Sequence, residues 1–256
     1  MGVSGGCSGG GRGGTVRIAA ISDVHCKVDS SGALRPVFAQ IAGEADVLVM
    51  CGDLTHLGLV EELQVFLHEV EPALKAMPVL TVLGNHDFEA NRQDEILAVL
   101  SRSGIVVLDG NSVDVCGIGF TGVKGFGGGF GEQALQPWGE AVIKNFVNAV
   151  AEESDKLESA LANMKSGPRI VLMHYAPIRA TVKGESPEIF PFLGSSRMEE
   201  ALDRHAVTAV FHGHSHKGYY AGRTSKDVPV FNVSVAVLKQ QFPDRPPFFI
   251  FEVPVT

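Results

Sequence analysis

Five short apolar runs in this chain each end on side chains that bind metal ions. The runs are Val16–Ile21, Val47–Met50, Val79–Leu83, Ile170–Met173 and Val207–Phe211, and the residues that follow them are Asp23, His25, Asp53, Asn85, His86, Asp87, His174, His212, His214 and His216. Open α/β sheets bind their ligands in loops at the carboxyl ends of buried strands. Carboxylate, imidazole and amide groups together suit a divalent transition metal. The pattern therefore predicts a metal centre at one edge of a sheet.

The composition is that of a globular protein with a sizeable core. Of the 256 residues, 45% are apolar and 20% are charged, which excludes a disordered chain. The net charge of −8 argues against nucleic acid as the default partner, because polyanion binding usually requires a basic excess. No apolar run approaches the roughly 18–20 residues of a membrane span, so we expect no membrane partner.

The first 14 residues contain eight glycines and no apolar segment, which excludes a signal peptide. We expect a flexible tail over residues 1–14 and a folded domain over residues 15–256. The four cysteines form no CxxC pair and no disulfide-scaffold spacing, so we expect reduced thiols and a cytoplasmic protein. They are Cys7, Cys26, Cys51 and Cys116.

Strands alternate with helices in the first hundred residues, which predicts parallel strands joined by right-handed crossovers. The expected helices are Leu34–Ala42, Leu59–Ala76 and Arg92–Ser101, each with apolar residues at helical spacing. Further along, the sequence predicts a long helix over Trp138–Met164 and a short one near Ser196–Arg204. Additional strands are expected at Val106–Leu108, Val113–Cys116, Gly117–Thr121, Val228–Val235 and Phe248–Val253.

The polar motifs occur in a fixed order that resembles the calcineurin-like metallophosphoesterase superfamily. They are Asp23-Val-His25, Gly52-Asp53, Gly84-Asn85-His86-Asp87, lone His174 and Gly213-His214-Ser215-His216. The resemblance covers essentially Thr15 to Val253. It implies an α/β fold, a four-layer α/β/β/α sandwich of two mixed sheets, with a dinuclear metal site at the strand C-terminal ends.

The resemblance also implies the ligand sets of two metals that share Asp53. One metal is assigned to Asp23, His25, Asp53 and His216, and the other to Asp53, Asn85, His174 and His214. A bridging carboxylate can hold two cations about 3.5–4 Å apart, which is the spacing used in phosphoryl chemistry. We expect Mn²⁺, with Fe or Zn as alternatives, because all three suit this nitrogen and oxygen ligand set.

His86 and Asp87 differ from the ligands in the role that the resemblance implies. In the family this histidine points at the leaving oxygen of the substrate, and the following acid orients it. Histidine titrates near neutral pH and therefore suits a general acid. The expected mechanism is attack on phosphorus by a metal-bridging hydroxide, followed by protonation of the leaving alkoxide by His86.

The same motifs narrow the substrate class. Protein Ser/Thr phosphatases of this superfamily carry GDxxDRG and GNHE, whereas this chain reads GDLTHLG and GNHD, which disfavours a protein phosphatase. We expect a phosphodiesterase acting on a small-molecule phosphate ester, with a phosphomonoesterase as the nearest alternative. A DNA or RNA nuclease and a non-catalytic metal-bound scaffold remain as weaker alternatives. The loops Lys124–Trp138 and Ala176–Ser195 are expected to set selectivity, and the oligomeric state stays open.

Several other side chains near these motifs have two interpretations. Purple acid phosphatases carry a ligating tyrosine at the position of His56, and nucleases of the recombination-repair type often carry histidine there. His56 is therefore a candidate for substrate contact or simply a solvated helix-cap residue. Cys26 and Cys51 could face the metals, but core packing is the favoured interpretation. His212 is expected to be hydrogen-bonded at a strand end rather than to bind metal.

Overall fold

The computed structural model describes residues 14–165 and 167–255. The flexible tail that the sequence predicts over residues 1–14 therefore lies, apart from Gly14, outside the described residues. Cys7 also lies outside them. Among the described residues, no helix combines the length and the hydrophobicity that crossing a bilayer requires.

The first sheet has five strands, of which four run parallel and one edge strand is antiparallel. In spatial order they are β11 (Phe249–Pro254), β1 (Thr15–Ile21), β2 (Val47–Cys51), β3 (Val79–Val82) and β4 (Val106–Val107). Their register places Ile21 beside Met50 and Cys51 beside Val82. The carboxyl ends of β1, β2 and β3 therefore lie at the same edge.

The second sheet has six strands and is also mixed, with antiparallel pairs at both edges. In spatial order they are β5 (Ser112–Val115), β6 (Ile118–Val123), β7 (Arg169–Met173), β8 (Ala209–His212), β10 (Pro229–Asn232) and β9 (Ala221–Arg223). The central strands β6, β7, β8 and β10 are parallel.

Helices cover the outer faces of both sheets. Residues of α1 (Arg35–Glu44), α2 (Val60–Ala76) and α3 (Gln93–Ser103) form one apolar cluster with the first sheet. Residues of α4 (Ala141–Asn163) and α6 (Ser196–Leu202) form another cluster with the second sheet. A third cluster lies between the sheets. This arrangement confirms the four-layer sandwich.

Strand β1 shows how the sequence specifies two buried faces. Ala19 and Ile21 belong to the cluster under the helices, while Ile18 and Ala20 belong to the cluster between the sheets. Successive side chains of a strand point to opposite faces. A strand segment between two apolar layers must therefore be apolar at every position, which explains the apolar run from Ile18 to Ile21.

The structure corrects two of the predicted elements. The long helix begins at Ala141 rather than at Trp138, and Trp138 is 69% exposed. The strand predicted over Val228–Val235 ends at Asn232, and a helix that the sequence did not predict, α7 (Val235–Gln241), follows it. The Ser234 hydroxyl starts α7 by accepting a hydrogen bond from the Val237 amide. A short helix, α5 (Phe190–Leu193), and strand β9 were also not predicted.

The structure confirms the expectation for two of the four cysteines. Cys26 and Cys51 are free and buried, as expected for core residues. Burial raises the pKa of the Cys26 thiol to about 11, so it is not a reactive thiolate. For Cys7 and Cys116 the expectation of reduced thiols stays a prediction.

Candidate metal centre

The structure brings all seven predicted metal ligands to one edge of the sandwich. The two sheets pack face to face, so the carboxyl ends of β1, β2 and β3 lie opposite those of β7 and β8. The ligands follow these five strands in the loops. They are Asp23, His25, Asp53, Asn85, His174, His214 and His216.

Four of these residues have an unusual backbone conformation. The φ angles of Asp23, His25, Asp53 and His214 are +58°, +43°, +51° and +68°. They make up four of the seven non-glycine residues with positive φ in the described chain. Side chains other than glycine adopt this region at a cost, and such residues cluster at functional sites. The chain thus turns sharply where each of these residues leaves its strand.

Gly84 allows the third loop to approach the second. A Cβ atom at this position would collide with the Oδ1 and backbone nitrogen of Asp53. The close approach lets the His86 amide donate a hydrogen bond to Asp53 Oδ1 over 2.9 Å. Glycine at position 84 is therefore required for the two loops to meet.

Asp23, His25 and His216 form one group of possible ligands. One ligand atom from each lies within 4.8 Å of the others. The Nε2 atoms of His25 and His216 are 3.4 Å apart, and His216 Nε2 is 3.1 Å from Asp23 Oδ1. The Asp23 carboxylate also accepts hydrogen bonds from the His214 amide. Two imidazoles and one carboxylate thus converge from β1 and from the loop after β8.

Asp53, His174 and His214 form a second group, and Asn85 adds an oxygen to it. One ligand atom from each of the three lies within 4.8 Å of the others. His174 Nε2 is 2.8 Å from Asn85 Oδ1 and 3.4 Å from Asp53 Oδ2. The side chain of His174 is fully buried. This group matches the second ligand set that the resemblance implies.

Asp53 lies between the two groups. Its Oδ2 atom is 3.7 Å from His25 Nε2 on one side and 3.4 Å from His174 Nε2 on the other. Its Oδ1 atom instead accepts the hydrogen bond from the His86 amide. The carboxylate therefore presents a single oxygen to both groups.

Backbone carbonyls fix the orientation of two of the imidazoles. A carbonyl can only accept, so His174 Nδ1 donates to Cys51 O at 2.8 Å and His214 Nε2 donates to Phe192 O at 3.0 Å. The nitrogen left for a metal is then Nε2 in His174 and Nδ1 in His214. Such contacts typically orient metal-binding histidines in proteins.

The electrostatics of the centre are those expected of a cation site. Burial opposes a charge on His174, but attraction to Asp53 raises the pKa of His174 to about 9. Burial opposes the charge on Asp53 too, yet His174 and His25 lower the pKa of its carboxyl. The negative charge of Asp53 thus demands a nearby cation, which suits a divalent metal.

His86 is oriented by a different group from the one predicted. Its Nδ1 donates to the backbone carbonyl of His56 at 2.7 Å, and its amide bonds to Asp53. The carboxylate of Asp87, which the resemblance implies as the orienting group, bonds to Leu54, Thr55 and Gly84 instead. The nitrogen that remains open on His86 is Nε2.

Asp87 instead joins the loop after β2 to the loop after β3 by hydrogen bonds. It is completely buried and accepts hydrogen bonds from the amides of Leu54, Thr55 and Gly84 and from the Thr55 hydroxyl. Burial and repulsion from Asp53 raise the pKa of Asp87. Its hydrogen bonds therefore position the two loops, and it lies away from the proposed reacting groups.

His56 lies beside the rings of His86 and His25. Its ring stacks on that of His86, with centroids 5.7 Å apart, and lies 5.9 Å edge-on from His25. Three amides of its loop, including that of His56, donate to the buried Glu62 carboxylate. The Nδ1 atoms of His56 and His25 are buried and have no partner among the described residues. Two unpartnered buried nitrogens indicate that the site accommodates additional groups.

His212 has the hydrogen-bonded position that the sequence predicted. Its Nδ1 donates to Gly213 O, and its Nε2 is 2.8 Å from the Thr181 hydroxyl. Burial lowers its pKa to about 4, so it is neutral at pH 7. Both nitrogens are occupied, which leaves none for a metal.

Comparison with known proteins places this geometry in context. The family model for calcineurin-like phosphoesterases matches residues 16–218. A search of curated protein sequences gives no match. The phosphopantetheinyl hydrolase of Mycobacterium tuberculosis is similar in structure, with a TM-score of 0.64, 15% identity, and coverage of 91% of this chain and 95% of that chain.

Two further solved structures resemble this chain. GAP50, the anchor in the inner membrane complex of Plasmodium, has a TM-score of 0.51 and 14% identity, with 88% of this chain and 73% of that chain covered. A proposed 5'-nucleotidase of Staphylococcus aureus has a TM-score of 0.50 and 18% identity, with 86% and 48% covered. At such identities these likenesses establish the fold alone.

Proposed function

Because this chain belongs to the calcineurin-like phosphoesterase family, we propose that it hydrolyses small-molecule phosphodiesters with the help of two divalent cations. The family assignment makes the chain a metal-dependent hydrolase of phosphate esters. The finer proposal of a diester substrate rests on the centre itself. The observation that carries the two-cation part of the proposal is the single oxygen of Asp53 placed between two groups of imidazole ligands.

The donor set fits two divalent cations. Asp23, His25 and His216 would hold one, and Asn85, His174 and His214 would hold the other, with Asp53 shared between them. Neutral imidazoles and one amide leave only two carboxylate charges against two cations, so the loaded site would attract an anionic ester. When bound, such cations lower the pKa of a water between them and neutralise the phosphoryl oxygens. Manganese as the metal and a cytoplasmic location stay predictions.

His86 is the proposed general acid. Its Nδ1 proton is held by the His56 carbonyl, so in the cationic form the mobile proton is at Nε2. That nitrogen is the one left to reach the leaving oxygen. His56, whose ring stacks on that of His86, would contact a phosphoryl oxygen of the substrate.

The preference for a diester over a monoester rests on the protein side chains around the site rather than on the cations. Among the described residues, no Arg or Lys side chain bonds to Asp53, His56 or His86. A monoester carries up to two negative charges near neutral pH, whereas a diester carries one. The imidazoles that face substrate suit the smaller charge. A phosphomonoesterase remains the second candidate because the same cations serve both esters.

Hydrolysis of bis(4-nitrophenyl) phosphate and of 4-nitrophenyl phosphate tests the proposal. The protein is stripped of metal, and then Mn²⁺, Fe²⁺ or Zn²⁺ is restored. We expect diester turnover only after a cation is restored, with much slower monoester turnover. Preferential monoester turnover would overturn the diester assignment. No turnover of either ester despite two bound cations would favour a non-catalytic scaffold.

A further inference from the structure

Four aromatic residues form a continuous wall beside the metal centre. They are Tyr175, Phe126, Phe146 and Phe192, which we call the aromatic wall. Ring centroids are 5.7 Å apart for Tyr175 and Phe126, 5.0 Å for Phe126 and Phe146, and 6.4 Å for Phe146 and Phe192. Exposure increases along the wall, from 8% at Tyr175 to 60% at Phe192.

Both ends of the aromatic wall touch the same proposed metal ligand. The ring of Tyr175 lies 4.3 Å from that of His214, and the Phe192 carbonyl accepts the hydrogen bond from His214 Nε2. Both ends of the wall therefore lie beside the proposed metal centre, and the Phe192 ring is its most exposed part. Val142, which is 71% exposed, precedes Phe146 by one helical turn and continues the apolar surface on the same side of α4.

The Lys124 side chain beside the wall is already engaged. The Lys124 ammonium lies over the rings of Phe126 and Tyr175 and donates to Gly125 O. Burial lowers the pKa of Lys124. A charged or strongly polar substituent lying along the wall would meet aromatic carbon and would lose its water without compensation.

We propose that the aromatic wall binds an apolar substituent of the phosphodiester, such as an alkyl, acyl or aryl group. The inference rests on the proposed function because it places the ester phosphate between the cations. An exposed apolar surface that is continuous with a metal centre gains free energy when a substrate chain covers it. The enzyme would then select among diesters by the hydrophobicity of one substituent.

A series of 4-nitrophenyl alkyl phosphates with methyl, butyl and hexyl chains tests the inference. All three release the same leaving group, so differences in KM report the contact of the chain. We expect KM to fall about two-fold for each added methylene, because the wall covers only one side of the chain. In F192S the KM for the hexyl ester should rise far more than that for the methyl ester.

Y219S is the matched control. Tyr219 is an aromatic residue of similar exposure, 58%, and lies in a separate groove with Lys217 and Gln240. We expect this variant to keep the dependence on chain length. Loss of that dependence in Y219S but not in F192S would overturn the inference, and so would a KM that is independent of chain length in the unmodified enzyme.

A binding measurement separates failure of this inference from failure of the proposed function. The Mn²⁺-loaded protein is titrated calorimetrically with methylphosphonate and with hexylphosphonate, which need no turnover. Tighter binding of the hexyl compound, lost in F192S, would support the aromatic wall even if no diester were hydrolysed. Equal binding of both compounds would refute it while leaving any observed turnover intact.

Discussion

The two halves of the metal centre are built differently. In the buried half, formed by Asn85, His174 and His214, backbone carbonyls orient both imidazoles, and the His174 side chain is fully buried. In the exposed half, formed by Asp23, His25 and His216, the side chains of the two histidines are 19% and 44% exposed. His25 Nδ1 has no partner among the described residues.

This difference indicates a division of tasks. The protein holds the buried half in a ligand-ready geometry, whereas the exposed half depends more on the cation itself. The proposed general acid also lies on the exposed side, since the His86 ring is 4.5 Å from that of His25. We therefore expect the exposed half to exchange its cation first and to admit the ester.

The largest loss of activity is expected from a substitution at Asp53, where the two halves join. Asp53→Asn weakens the one oxygen that both cations would share, so activity should fall by about 10³-fold or more. The cations bound per chain, measured by elemental analysis, should fall below two. Asp46→Asn is the control, because Asp46 pairs with Arg17 away from the centre. Near-normal activity with two cations would show that the halves work independently.

A somewhat smaller loss is expected at the proposed general acid. His86→Ala should lower kcat by about 10²–10⁴-fold and leave the metal content unchanged. The loss should be larger for alkyl leaving groups than for nitrophenolate, which departs without a proton. His68→Ala, an exposed histidine on α2, is the control. Unchanged turnover of alkyl esters would show that His86 is not the general acid.

The difference between the two halves is tested most directly by substituting one proposed ligand in each half. His216→Gln should lower cation affinity in the exposed half by about 10–100-fold, while one cation stays bound after dialysis. His174→Gln should release the cation of the buried half and also lower Tm. Metal content and Tm of both variants check this. Identical losses in the two variants would break the distinction between the halves.

The smallest effect is expected on the pH dependence of the thermal stability of the metal-free protein. The folded-state pKa of His174 is about 9, above its usual value, so its stabilisation is complete below about pH 6.5 and is lost as pH rises towards 9. Tm of the metal-free protein should drop in this window by an amount on the order of 5 °C. The drop should disappear in His174→Gln and in the metal-loaded protein. A drop that persists in His174→Gln would assign it to other groups.

The clustering of the proposed ligands could be predicted from the sequence because their signals are local. Each lies within a few residues of an apolar run, and parallel strands align their carboxyl ends whatever the details of packing. The order of motifs then identified the family. Neither step required knowledge of which side chains touch across the fold.

Features that depend on distant contacts could not be predicted. Asp87 bonds to Leu54 and Thr55, which lie more than 30 residues away, and the sequence instead suggested a partnership with adjacent His86. The aromatic wall is assembled from four separate segments. Helix α7 could not be predicted because Val235 and Val237 continue the apolar alternation of the preceding strand. Only the Ser234 cap separates the strand from the helix.

The left-handed backbone of Asp23, His25, Asp53 and His214 has a consequence for how this chain can evolve. At these positions a substitution changes two things together, since the replacement must bind metal and also tolerate the turn. β-branched residues satisfy neither condition. If catalysis were lost, relaxed selection would favour drift towards glycine or asparagine, which relieve the backbone strain. Aspartate and histidine kept at all four positions would therefore distinguish active descendants from inactive ones.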